Sequence, residues 1–425
     1  MSRRNRYENT LLAVFGLALG LMAFEQLGIS YLIPFVAPDL ALSNTQVGLL
    51  MSGYWAVFAL SSYATGLSFD RLSRRKPLLV VILCLFSLCS ILSAVATSFG
   101  TLLAARATMG LLEGALFTAV QSFVALGSEQ ERRGSNLGIV AGVCPNILGI
   151  LIAPLLLVQI SLHFGWRMGC VAVLAPGLLT ALLVAIVIRE PGIAAAKPLR
   201  ARPEDRARHD RPAGVLRLRN IWICAGLCCF YVAYLNAGFT FLPLYYINAR
   251  HFSSQQMGIL LGVLGIAAVL FAFLLPAASD RLGRRPVLMA SGLLSMISPL
   301  AAIFVAGPIG LLAPLMLIGW AMSGTASLIT STIPAETVPS HQLSTVIGLI
   351  ICVGVIIGGL VGPGEAGWVA DHWGLRGPLL LQASYAVAAF LLASGLIESA
   401  KPSARAPEST ATPSTGVTRT SESSR

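Results

Sequence analysis

The chain has 425 residues, 56% of them hydrophobic and 11% charged, with a mean hydropathy of +0.79. Those values exclude a soluble globular protein and place the chain in a membrane. The formal charge of +11 would point to nucleic acid in a soluble chain, but here the cations sit almost wholly in short connectors, so the expected partner is a lipid bilayer and no nucleic acid.

Twelve apolar stretches follow one another at 10–34, 47–69, 77–98, 101–124, 135–160, 168–188, 221–247, 257–279, 286–306, 309–332, 344–367 and 376–397. Each is long enough to cross a hydrocarbon core of ~30 Å. They predict an all-α membrane protein of twelve transmembrane helices. With a cytoplasmic N-terminus, all but four of the 29 Lys and Arg (Arg106, Arg167, Arg250 and Arg376) fall on the inner side, which sets both termini in the cytoplasm of an inner or plasma membrane. The basic start is read as the flank of a span rather than a cleaved leader, since the first apolar run continues through Glu25 to Pro34 without an Ala-x-Ala site.

Residues 1–9 form a cytoplasmic N-terminus and 10–188 a first six-helix bundle. The stretch 189–219, rich in Arg, Pro and Ala with no apolar period, is a cytoplasmic linker to a second bundle at 220–397. The Ser-, Thr- and Pro-rich tail at 398–425 cannot bury enough area to order and is expected to be disordered. Span five carries Gly138, Gly142, Pro145 and Gly149; span eleven carries Gly354, Gly358, Gly359, Gly362, Pro363 and Gly364 at matching positions. Small residues let helices approach closely and bend in lipid, so these two are the expected rocking helices. The cluster Cys224, Cys228 and Cys229 has no His or carboxylate at ligand spacing, and no metal or cofactor is expected.

One basic loop is written twice. Gly66-Leu67-Ser68-Phe69-Asp70-Arg71-Leu72-Ser73-Arg74-Arg75-Lys76-Pro77 follows span two, and Ser279-Asp280-Arg281-Leu282-Gly283-Arg284-Arg285-Pro286 follows span eight, with the aspartates 210 positions apart. Topogenic charge explains the Arg and Lys but not the Asp, the Pro and the duplicated spacing. Charge pairs are how rigid halves are latched, so a gating role is read for both copies, and a duplicated bundle is the build of a secondary transporter.

These loops resemble the signature of the major facilitator superfamily between spans two and three, with its weaker copy between spans eight and nine; the likeness covers about 10–397. It implies two pseudo-symmetric six-helix bundles that work by alternating access. It also implies that Asp70 and Arg71, with Arg74 and Arg75, hold the outward-open state from the cytoplasmic side. Gly66, Asp280, Arg281, Arg284 and Arg285 complete the gating set. Ser73 stands where the family usually has Gly.

Ionisable groups inside spans are costly unless they meet a partner or a wet cavity. Glu25 in span one, Arg106 and Glu113 in span four, and Glu365 in span eleven are therefore functional candidates. Seven residues make nearly two helical turns, so Arg106 and Glu113 share a face. A purely structural ion pair is the alternative for each. Arg106-x-x-x-Gly110-x-x-Glu113-Gly114 resembles the anion:cation symporter family, which implies an organic anion or sugar acid as cargo. Glu25, Arg106 and Glu113 are read as the proton-coupling set, with Glu25 taking up a proton and releasing it as the cavity changes sides or as Arg106 swings near.

One feature departs from the anion symporters. The acid of span one is usually followed there by an Arg that grips the substrate carboxylate, and here that place is Gln26. The spacing from Glu25 to Pro34 fits drug:proton antiporters as well, although their span-five signature is only half present as Gly142 and Pro145. Pro334-Ala335-Glu336-Thr337-Val338-Pro339 and the Gly358–Asp371 region look like solute symporters.

The cavity is expected to be lined by Gln26, Tyr31, Tyr54, Trp55, Gln121, Asn146, Tyr231, Tyr234, Asn236, Tyr245, Tyr246 and Glu365. No phosphate-binding loop and no nucleophile with a paired carboxylate stand at catalytic spacing, so the chain is not an enzyme and does not run on ATP. The reading is a monomeric proton-coupled symporter of a small organic solute. A proton-driven efflux antiporter is the alternative, and a non-transporting membrane sensor the third.

Overall fold

The computed structural model describes residues 3–69, 75–129, 132–189, 218–338 and 340–398. Twelve helices within them are long and apolar enough to cross a membrane: α1 Tyr7–Asp39, α2 Asn44–Gly66, α3 Lys76–Ala94, α4 Phe99–Gly127, α5 Ser135–Phe164, α6 Trp166–Val187, α7 Arg219–Ala249, α8 Ser254–Leu282, α9 Arg284–Phe304, α10 Ile309–Thr337, α11 Thr345–Trp373 and α12 Arg376–Ser394. No strand occurs among the described residues. An even number of crossings puts both chain ends on one face, called here the terminal face; the opposite one is the distal face. Leu85, Leu88, Leu182, Ile186, Leu274 and Leu391 point outward, as a hydrocarbon solvent requires.

Two six-helix bundles face each other with matching glycines at matching contacts. Gly114 of α4 lies against the Phe58 carbonyl of α2, and Gly324 of α10 lies against the Phe271 carbonyl of α8. Gly149 brings α5 onto Ala23 of α1, and Gly358 brings α11 onto Cys229 and Ala233 of α7. A Cβ at any of these four would overlap its neighbour, so the small residue is what sets the interhelical distance.

The two helices expected to bend are both wound wide. π-helical turns occupy Ile139–Val143 and Asn146–Ile152 in α5, and Val355–Val361 in α11. Such turns free backbone groups from the regular ladder and recur at functional positions.

The halves touch between the distal face and the middle of the bundles. Gly48 of α2 lies on the backbone of Pro363, Gly367 of α11 on that of Asn44 and Thr45, and Gly265 of α8 on that of Ile150 and Leu151. Toward the terminal face they part around a cavity of about 800 Å³.

Candidate functional site

α1, α2 and α4 bring three ionisable groups together inside the first half. Arg106 donates from Nη1 to Glu25 Oε1 at 2.8 Å and from Nη2 to the Gln26 carbonyl at 3.2 Å. Its guanidinium carbon lies 4.8 Å from the centre of the Tyr54 ring, and the Tyr54 hydroxyl donates to Glu113 Oε2. Arg106 and Glu113 are fully buried, Tyr54 is 1% exposed and Glu25 8%. The spacing predicted one face for Arg106 and Glu113, and Gly110 and Gly114 explain why that face meets α2: with no Cβ there, Tyr54 comes within reach.

Two buried carboxylates therefore stand in a cluster with one guanidinium, Glu25 paired with it directly and Glu113 joined through Tyr54. Fully ionised, the cluster carries one net negative charge at a place where each ion costs several kcal/mol, in order of magnitude, to take out of water. Glu25 Oε2, Glu113 Oε1 and Arg106 Nε have no hydrogen-bond partner among the described residues. The arrangement has room for one more proton and no room in its charge balance for another anion.

The cavity lies further toward the terminal face, between the halves. Gln121 of α4, Asn146 of α5 and Tyr231 of α7 line it with Ser323, Ser327 and Thr330 of α10. Phe117 and Phe273 add apolar walls.

Of the residues expected at the cavity, Gln121, Asn146 and Tyr231 line it. Tyr54 belongs to the charge cluster, and Gln26 serves that cluster through its carbonyl. Asn236 accepts a hydrogen bond from Trp55 Nε1 across the halves at 2.9 Å, and its amide nitrogen donates to the Val232 carbonyl. Other assignments need correction. Tyr31 is fully buried and donates to the Gly149 carbonyl of α5 at 3.1 Å, tying α1 to the bent helix. Tyr234 sits inside the second half, within 2.9 Å of the Ser295 and Gly319 carbonyls, and Tyr246 bonds Met316. Tyr245 is buried as well. Glu365 is exposed and accepts from Tyr385 of α12 at 3.1 Å, away from the cavity. The common cause is rotation: each of these helices is apolar nearly all round, and composition does not tell which face a polar residue occupies.

The second basic loop is knit into its own half. Arg284 reaches Asp280 at 2.5 Å, Ser279 at 2.8 Å and Glu336 at 2.8 Å, while Glu398 accepts from the backbone of Arg284 and Arg285. Gly283 makes the turn with φ +101°, where a side chain would be strained. Arg281 and Arg285 are exposed. Of the first copy, Gly66 is exposed and Arg75 buried, whereas Asp70, Arg71 and Arg74 lie outside the described residues, as do most of the linker and the tail from 399 on.

The distal joint between the halves uses a residue outside the predicted set. Asp371, near the end of α11, accepts from the Asn44 amide and side chain at 3.0 and 2.9 Å and from the Thr45 amide at 2.8 Å, capping the first turn of α2. The sequence held a signal for this region. Ser43-x-x-Gln46-x-Gly48 and Ser253-x-x-Gln256-x-Gly258 repeat at the same 210-residue spacing as the two basic loops. Each Ser and Gln form a reciprocal cap, at α2 and at α8.

The sequence matches the family model described as Major Facilitator Superfamily over residues 11–277 and 223–422. A hexuronate transporter of Bacillus subtilis (strain 168) is 26% identical over 253 residues, which cover 57% of this chain and 59% of that relative's length. A probable 4-methylmuconolactone transporter of Cupriavidus pinatubonensis is 25% identical over 379 residues, 87% of this chain and 86% of the relative. The fold matches a bacterial homologue of the human lysosomal transporter Spinster, solved inward-facing and unoccupied, with a TM-score of 0.76 at 18% identity over 93% of this chain and 97% of the other.

Proposed function

The chain belongs to the major facilitator superfamily, and from that premise we propose that it moves a small organic solute across an inner or plasma membrane together with a proton. One observation carries the coupling: two buried carboxylates stand in a cluster with one guanidinium, so the cluster of Glu25, Arg106 and Glu113 is neutral only when it holds a proton. With the proton bound, sealing the cluster from water is tolerable. With the proton gone, a net charge remains in a low dielectric, and the state that lets water in is favoured. Proton passage is tied in this way to the alternation of the halves. Relatives described as hexuronate and 4-methylmuconolactone transporters support a small organic cargo.

The excess of Lys and Arg on the terminal face supports a cytoplasmic placement for it. The conformation described is then open to the cytoplasm and closed on the distal side by the α2–α11 and α5–α8 contacts. In the opposite state those contacts part, the cavity closes, and the first basic loop, with Asp70, Arg71, Arg74 and Arg75, latches the halves. Glu25 and Glu113 hold the proton, Arg106 fixes Glu25 and Tyr54 fixes Glu113, and Gln121, Asn146 and Tyr231 meet the solute.

The test is transport in proteoliposomes. An imposed proton gradient drives accumulation in the native protein. Glu25→Gln keeps substrate counterflow and loses gradient-driven accumulation. Accumulation by Glu25→Gln that still follows the gradient sinks the coupling role.

A further inference from the structure

We infer that the cavity is a site for an uncharged, hydroxyl-bearing organic molecule, and that a carboxylate or sulfonate of the same size is refused. This rests on the reading of the cavity as the solute site and narrows its chemistry. Among the described residues that line the cavity there is no Lys, Arg, His, Asp or Glu. What lines it is amide, hydroxyl and phenol: Gln121, Asn146, Tyr231, Ser323, Ser327 and Thr330.

Four of these polar groups are idle. Ser323 and Thr330 donate to carbonyls of their own helix, but the side chains of Gln121, Asn146, Tyr231 and Ser327 make no hydrogen bond among the described residues. Two carboxamides each bring two donors and an acceptor, and the two hydroxyls bring one donor each with lone pairs to spare. Such a set matches a ligand rich in alcohol groups, which both donate and accept. It has no means of balancing a fixed negative charge, and an anion held without a cation or a strong donor array loses its hydration with no return. The volume of about 800 Å³ lies in the usual range for a small organic ligand.

The buried cation of the first half is engaged elsewhere. Arg106 is bonded to Glu25 and the Gln26 carbonyl and stacked on Tyr54, and the first half already has two carboxylates for that one guanidinium. An anionic solute would find no free cation there among the described residues. The position after Glu25 is Gln26, not a second arginine.

The experiment is thermal unfolding of the purified full chain in detergent at pH 7. The probes are compound pairs that differ in charge: D-glucose with D-glucuronate, D-galactose with D-galacturonate, and glucono-δ-lactone, freshly dissolved, with gluconate. A ligand that binds only the native state raises the unfolding temperature in proportion to its occupancy. The expected result is a concentration-dependent shift from the neutral member of at least one pair and at least a tenfold weaker response from its acid. Asn146→Leu and Gln121→Leu, tested separately so that one misfolded variant does not decide the matter, each weaken the apparent affinity for that neutral probe at least tenfold. An acid that outperforms its neutral partner, or no shift from any neutral member, overturns the inference. Because the readout is binding, it fails independently of proton coupling. An acid that binds and is accumulated by a pH gradient sinks only the neutral-ligand inference, whereas a neutral sugar that binds but does not follow the gradient sinks only the coupling.

Discussion

Replacing Asp371 with Asn is expected to open the distal side of the molecule. Among the described residues, Asp371 is the one acidic group that crosses from the second half to cap a helix of the first, through three hydrogen bonds of 2.8 to 3.0 Å onto Asn44 and Thr45. A carboxylate at a helix N-terminus contributes about 0.3–1 kcal/mol when exposed and up to ~2 kcal/mol when partly buried. Bonds to a charged acceptor add to this, but the residue is exposed and water competes for it. Asn keeps one acceptor oxygen and loses the charge, so the net loss is about 1–2 kcal/mol, or roughly 5- to 30-fold in the balance between the two states. The bond exists only while the distal side is closed, so the whole of that loss falls on one state. Ser52 offers a reporter: it is 4% exposed on α2 and faces Gly364 of α11. With Ser52→Cys in a background lacking the eight native cysteines, a membrane-impermeant maleimide applied from the distal side should label about tenfold faster in Asp371→Asn. Raising salt should speed labelling of the parent and shrink the difference, since the charge–dipole term is screened. Equal labelling of parent and variant, at low salt and high, would refute the assignment of Asp371 as a latch.

Other outcomes separate contacts between halves from contacts within one. Gly265→Ala places a Cβ about 2.5 to 2.7 Å from backbone atoms of Ile150 and Leu151 across the halves, and should speed the same maleimide labelling of the Ser52→Cys reporter while leaving each bundle folded. Gly114→Ala meets Phe58 and Ser62 within the first half and should instead lower the unfolding temperature, by overpacking worth about 1–3 kcal/mol, with labelling little changed. Arg106→Ala leaves Glu25 and Glu113 uncompensated and should cost about 3–5 kcal/mol of stability in thermal unfolding. Glu25→Ala added to Arg106→Ala should restore part of that loss, and a double variant weaker than Arg106→Ala alone would contradict the pairing.

The spans were legible because lipid leaves so little choice: a run of about 20 apolar residues has no other stable place. The charge cluster was legible for the same reason, since Glu25, Arg106 and Glu113 are conspicuous in hydrocarbon and the last two stand on one face. Tyr54 was harder. Its sequence context is like that of Tyr31 and Tyr234, yet one tyrosine serves the cluster, one braces α1 on α5, and one is locked among α9 and α10. Helix rotation separates these fates, and a helix that is apolar all round carries little record of it. The joint on the distal side was harder still. The basic loops draw the eye with their charge, whereas the contacts described between the halves include glycines on bare backbone, the Trp55–Asn236 hydrogen bond and an Asp at a helix end.

The cluster and the closure meet in one turn of α2. Tyr54 bonds Glu113 within the first half, and the next residue, Trp55, bonds Asn236 of the second half and packs its ring against Gly359 in the π-wound stretch of α11. Consecutive residues on a helix point about 100° apart, so one backbone segment faces both partners at once. On the coupling proposed above, a shift of α2 small enough to be absorbed by the Tyr54 hydroxyl when Glu113 changes its proton is also a shift of Trp55 against the opposite half. Gly110 and Gly114 hold that segment tightly to α4, while on the other side it faces a helix whose wide turns allow movement. The stiff contact lies toward the charges and the pliant one toward the partner bundle. On the same coupling, that order would let a change of one proton act on the joint between halves without loosening the half that holds it.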